Sequence, residues 1–306
     1  MNNGQINELI DRCILNINNF SNKYNYPSNI THLLYLIVPA FIIKYGFTNE
    51  NVILKSFNEI PILIDDKEDD IYQAYYTSIP YLSNSDYVTH KGIVLKNYKN
   101  TSLMQLLDNL VHEFNHAINS INQEIKIDGD KLFIRTGLTS IAYDKNKLVP
   151  INKDDNSILE EIINTKQTEM IIDIINSFNN YEITDVEVVN TLYSIQNSID
   201  KNYKSNAYLL QSYVCMELIN NKTFMSTLEN LRFKGNIEDI ELWFDSITGE
   251  ENSYKILTKL LKESLDLQME LTNKKGFRYF KVNKIKDLNN QAMRIVKLFD
   301  NNCNYR

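Results

Sequence analysis

Residues 103–121 read LMQLLDNLVHEFNHAINSI. Leu103, Leu106, Leu107, Leu110, Val111, Phe114, Ala117, Ile118 and Ile121 recur at helical spacing, which predicts an amphipathic helix over about 101–122. Asn100, Thr101 and Ser102 can cap it, and Ser102 followed by Gln105 has the spacing of a capping box. No Pro or Gly interrupts residues 93 to 128. Inside this helix stands His112-Glu113-Phe114-Asn115-His116, the HExxH pattern. Two imidazoles four residues apart lie one turn above each other, so both can reach one metal ion. The Glu between them points to a neighbouring face, where it can hold and deprotonate a water on that ion. The chain has only four His. A chance match is therefore on the order of a few per thousand on residue frequencies. The alternative is an ordinary amphipathic core helix with two His near its surface.

A catalytic zinc takes three protein ligands and leaves a fourth position for water. The metzincin extension needs Gly and His where this chain has Asn119 and Asn122, so that class is excluded. His32 opens an apolar helix and His90 follows a strand end; both read as surface or satisfied core residues. Downstream, SILEEIINT (157–165) begins a second long helix, with Asp154, Asp155 and Asn156 as N-terminal cap. It offers Glu160 and Glu161, and a helix turns only one of two adjacent residues toward a given point. Acids near a helix N-terminus are also common without any metal.

Val111 to Ile118 resembles the active-site helix of the gluzincin metallopeptidases, the thermolysin-like branch of the zincins, down to the small Ala117 after the second His. Leu159 to Asn164 resembles the helix that brings the third ligand in that family. The resemblance covers roughly residues 90–170. It places the ligand at Glu161, with Glu160 as the neighbouring alternative. It implies an α+β, zincin-like fold and a bound Zn2+ held by His112, His116 and Glu161. The chain departs from the family at Thr165, where an Asp often orients a ligand His; Thr165 or Asn164 would take over part of that work. The gap between His116 and Glu161 is also long. Within it, KLFIRTGLTSIAY (131–143) reads as two short strands about Gly137, an inserted hairpin (about 131–144) that would lie over the cleft. The family also uses an edge strand before the active helix to pair with an extended peptide. Gly92 to Tyr98 is the candidate here, a plain sheet strand being the alternative.

The implied reaction is hydrolysis of a peptide bond. Zinc lowers the pKa of its water to about 7 and polarises the scissile carbonyl. Glu113 would act as general base and pass the proton to the leaving amine. For a second oxyanion donor the candidate is Tyr143, ahead of Arg135, Tyr208 and Tyr213. With 19 Tyr in the chain, the ordinary role of any one of them is structural.

A chain of 306 residues can bury a sizeable core and suggests one or two domains. A net charge of -7, with no basic block, argues against a nucleic-acid or anionic-membrane partner; the resemblance implies a peptide or protein substrate. The three Cys, at 13, 215 and 303, are far apart and form no CxxC pair, which points to reduced thiols. The N-terminal residues lack the pattern of a signal peptide, and the apolar stretch Leu33 to Ile43 contains Pro39 and is too short to span a bilayer. A cytoplasmic location is the expectation, export without a recognisable signal remaining open.

All five Pro lie at or before residue 150. This split suggests an α+β subdomain over 1–150 and an all-helical subdomain over 151–306 that carries the third ligand, with the substrate in the cleft. In the first, residues 5–19 and 29–45 read as helices, and Val52–Phe57, Pro61–Asp65, Tyr72–Ile79 and Lys91–Tyr98 as strands. In the second, helices are expected at 156–179, 183–198, 204–220, 223–233, 236–246, 252–274 and 285–299, with Gly235, Gly249 and Gly276 between them. Two further readings stand beside the peptidase. One is a zincin-fold protein that keeps its metal as a binding or regulatory module without turnover. The other is a helical second half that serves as a partner-binding scaffold.

Overall fold

Asn2 starts the first helix. Its side chain accepts the Gln5 main-chain N–H (2.9 Å), and the Gln5 side chain accepts the Asn2 N–H (3.0 Å), a complete capping box. The computed structural model describes residues 1–65, 73–120, 125–153, 157–198, 208–234, 237–273 and 278–304. Their architecture is α+β, with two small sheets in the first half and a largely helical second half. The chain divides into two units, Met1–Ile118 with Gln167–Lys204, and Asn119–Lys166 with Ser205–Arg306.

In the first unit, α1 (Asn3–Tyr24) buries Ile6, Leu9, Ile10, Cys13, Ile17 and Phe20 as one stripe. α2 (Ser28–Tyr45) follows Pro27 and contains Pro39. Its 18 residues are enough by length and composition to cross a membrane, yet 67% of them are buried in the protein, as in a core helix. The segment Val52–Phe57, expected as a strand, is helical within α3 (Glu50–Glu59). Ile53 and Phe57 are one turn apart and both buried. The Phe57 ring lies 5.5 Å from Phe41 of α2, edge-on, and 4.1 Å from Phe114. Packing on one helical face overrides the strand preference of Val52, Ile53 and Phe57.

β1 (Ile62–Asp65), β2 (Ala74–Ser83) and β3 (Asp86–Lys96) form one sheet in the order β1-β3-β2. β2 and β3 are antiparallel, joined by Asn84 and Ser85, both at positive φ (49° and 73°) as a type I′ turn requires. β1 runs parallel to β3, with Ile62 opposite Ile93. β3 is therefore the plain sheet strand of the two readings and not the edge. Ile93 to Leu95 pair with β1 on one side and β2 on the other. β2 is an edge instead. α4 (Leu103–Ile118) packs on β2, β3 and α3. α6 (Val186–Ser198) covers α2 and α4.

In the second unit, β4 (Ile125–Asp128), β5 (Lys131–Thr136), β6 (Thr139–Asp144) and β7 (Pro150–Lys153) form an antiparallel meander. β5 and β6 are the expected hairpin, turning at Gly137 and Leu138. Gly137 takes φ +58°, the sign that the first central position of a type II′ turn requires. The helical part comprises α7 (Leu209–Val214), α8 (Met216–Asn220), α9 (Lys222–Lys234), α10 (Ile237–Thr248), α11 (Ser253–Asn273) and α12 (Arg278–Asn304). The single helix expected at 204–220 breaks at Cys215. Phe224, Trp243, Phe244, Tyr254 and Phe299 pack ring against ring at its core. Gly249 follows α10 at φ +74°, as a C-terminal cap residue does. Gly235, Gly276 and the expected cap Asp154 to Asn156 lie outside the described residues.

α5 (Ser157–Ser177) belongs to both units, since the boundary after Lys166 falls inside it.

Candidate metal centre

The first turn of α4 is capped by half of the expected box. Ser102 Oγ accepts the Gln105 N–H (3.2 Å), while the Gln105 side chain hydrogen-bonds Gln73 instead of closing the box. Leu106, Leu107, Leu110, Val111, Phe114, Ala117 and Ile118 are buried, which fixes the rotation of the helix. His112 is partly buried, and His116 lies at the boundary of partial and full burial. Their rings sit one turn apart, with centroids 5.0 Å from each other and planes at 77°. His112, His116 and Glu161 each offer one ligand atom, and these atoms all lie within 4.8 Å of one another. Among the described residues this is the one such group.

Adjacent residues on α5 point about 100° apart, and the two glutamates divide accordingly. Glu160 is 2% exposed, and its Oε2 accepts the Leu138 N–H at the hairpin turn (2.9 Å). A Cβ on Gly137 would come within 2.6 Å of Glu160 Oε1, so the carboxylate fills the space that glycine leaves. Glu160 thus holds the hairpin tip, and Glu161 is the one that stands with the His pair.

The donor set fits a metal ion. Two imidazoles and a carboxylate suit a borderline divalent cation such as zinc. Tetrahedral donors about 2 Å from one ion stand roughly 3.3 Å apart; from within 4.8 Å, that is reachable by side-chain rotation. One turn beyond Glu161, Thr165 Oγ1 is buried without a hydrogen-bond partner. It stands where a polar group supporting a ligand would be needed.

Glu113 is 7% exposed. Its Oε2 accepts the main-chain N–H of Tyr76 on β2 (2.6 Å). Side-chain patterning gives no sign of this contact, because the donor is a backbone group from a sheet edge. Asn115, inside the motif, is 0% exposed; its Oδ1 accepts the Tyr45 hydroxyl (2.7 Å) and its Nδ2 donates to Thr168 Oγ1 (3.3 Å). The sequence does carry a signal for this pair: Asn115 interrupts a run of buried apolar positions.

Tyr143 lies on β6, 7% exposed, beside a bulge at Ala142/Tyr143. Burial pushes its phenol pKa up, so the hydroxyl keeps its proton. Of the other donor candidates, Arg135 lies on β5, Tyr208 precedes α7, and Tyr213 is exposed. His32 stands 3.7 Å from Glu187 and beside Tyr35. His90 stacks on Tyr81 at 4.0 Å. All three Cys are free thiols.

No family model, curated protein or solved structure matches this chain. The class that fold and site define is an α+β protein with a His/His/Glu group, on two helices, that could hold a metal ion.

Proposed function

We propose that this protein is a zinc-dependent metallopeptidase of gluzincin type, with His112, His116 and Glu161 as ligands and Glu113 as general base. The observation that carries the reading is the convergence of the three donor side chains on two helices, with Glu113 next in sequence to His112. Zinc bound there supplies Lewis-acid polarisation of a carbonyl and a water whose pKa falls to about 7. Glu113 takes the proton of the attacking water and returns it to the leaving amine. The Tyr76 N–H holds the Glu113 carboxylate in one orientation for that transfer. Tyr143, kept protonated by burial, is the proposed hydroxyl donor to the oxyanion.

The substrate would be a peptide or protein met in the cytoplasm. Its main chain would lie along the outer edge of β2. Strand alternation supports this. The Tyr76 N–H points away from β3, so the main-chain groups of Ser78 and Pro80 turn the same way. Pro80 is tolerated there because no ladder bond is lost.

One observation favours a second reading, a metal-retaining binding module without turnover. The carboxylate that would serve as base is already engaged by the strand.

One measurement tests the metal site common to both readings, and a second separates them. Wild type should hold one equivalent of zinc and His116→Ala should not; stoichiometric zinc in His116→Ala would refute the ligand assignment. Zinc-loaded wild type should cleave members of a broad peptide library. Glu113→Gln should keep the metal and lose about 10²–10⁴ in rate. Zinc-loaded wild type that cleaves nothing would favour the binding module.

A further inference from the structure

Asn115 occupies a position that HExxH leaves unspecified. It is 0% exposed, on a helix whose neighbouring Val111, Phe114, Ala117 and Ile118 are all buried. A polar side chain in such a place is retained only if its hydrogen bonds are made. Both ends of the amide are used: the Tyr45 hydroxyl at the end of α2 donates to it, and it donates to Thr168 Oγ1 on α5. One side chain on α4 is thereby tied to a helix that comes before it and a helix that follows it.

We infer that Asn115 and Thr168 are positioning residues for the third metal ligand: their hydrogen bond fixes the rotation of α5 so that Glu161, and not a neighbour, stands with His112 and His116. The inference rests on the metal-site reading above. Thr168 is seven residues beyond Glu161, two turns along and on nearly the same face. A bond made at Thr168 therefore sets the direction in which Glu161 points. Turning α5 by one residue, about 100°, would exchange Glu161 for Glu160 or Ile162. Glu160 carries the hairpin tip and Ile162 has no donor atom.

Thr168→Val is the first test because it keeps the shape and removes the hydroxyl that accepts from Asn115. Zinc affinity of the full-length chain is measured by competition with a chromophoric chelator, with thermal melts of the metal-free protein alongside. Thr168→Val should bind zinc about tenfold more weakly, the lower end of what loss of an outer partner costs a metal site. Thr168→Ser should restore wild-type affinity. Asn115→Leu should weaken zinc binding as Thr168→Val does. In the Glu161→Gln background, Thr168→Val should cause no further loss, because the residue acts through Glu161. A folded Thr168→Val with wild-type zinc affinity overturns the inference, and so does an equal loss in both backgrounds. In either case zinc binding that still depends on His116 leaves the metal site standing. A wild type without zinc, or a His116→Ala that binds as well, removes the metal site itself and this inference with it.

Discussion

At the scale of single residues, Glu160 and Glu161 show how much one step along a helix decides. They are the same chemical group, yet one accepts a main-chain hydrogen bond in a buried turn and the other stands with two imidazoles. The sequence resemblance points to this pair and puts Glu161 ahead of Glu160 as the third donor. The choice depends on what meets the helix at each angle, and Gly137 is part of that. Gly137→Ala should destabilise the protein by about 1–3 kcal/mol, combining a side chain at positive φ with a clash. The clash is with Glu160, whose Oε1 would stand 2.6 Å from the new Cβ. Denaturant unfolding of the metal-free protein measures this; an unchanged midpoint would show that Glu160 yields freely. The pair of His and its Glu were legible in the sequence because HExxH needs only helix periodicity. The Tyr76 contact was not, since a main-chain donor leaves no trace in residue types.

At the scale of elements, strand and helix patterns alike place most segments: β1, β2 and β3 overlap the strands expected at 61–65, 72–79 and 91–98. α1, α2, α4 and α5 stand where the sequence predicts helices, and in α4 the apolar spacing is what marks it. The hairpin at Gly137 was equally legible, as two short strands about a glycine. α3 was misread because Val52, Ile53 and Phe57 suit a strand taken alone; the rings of Phe41 and Phe114 make the helical face the better one. The sequence leaves β3 either an edge or a plain sheet strand, because strand order is a long-range property. It depends on β1, which arrives in parallel from earlier in the chain. The edge strand offers its own test. Tyr76→Pro removes the N–H that meets Glu113 and leaves the bonds between β2 and β3, as Pro80 already does on the same side. If the chain is the peptidase proposed, zinc affinity should be unchanged, while peptide hydrolysis should fall about tenfold, as for loss of an orienting partner. Equal or faster turnover would mean that the strand covers the base and does not orient it.

At the scale of the whole molecule, burial sets a limit on alkaline stability. Cys13 and Cys215 lie in different units, and desolvation pushes each thiol up to about 12 from an ordinary 9.0. Above pH 9 the unfolded chain gives up these protons and the folded chain keeps them, so stability falls as pH rises. Their contribution is complete below about pH 9 and is lost as pH rises through about 12. Unfolding midpoints taken across that window should decline, and more shallowly in the Cys13→Ala, Cys215→Ala double variant. An identical slope would assign the decline to other groups. At pH 8, thiol reagents should label the half-exposed Cys303 well before either buried thiol. The α+β class was legible from the order of patterned segments. The way the units share the chain was not, because Pro usage reports on local turns and the units are assembled from distant stretches.

That sharing has a consequence for synthesis. The first unit is interrupted after Ile118 and resumes at Gln167, in the middle of α5. A nascent chain must therefore carry α1 to α4 through the translation of Asn119 to Lys204 before the unit is whole. At about 5–20 residues per second this is on the order of ten seconds. Throughout that interval α2, an apolar helix on every side, waits on the ribosome for the α6 segment that covers it. Every newly made copy passes through a stage in which its stickiest helix has no lid, and at that stage the chain would depend most on chaperones.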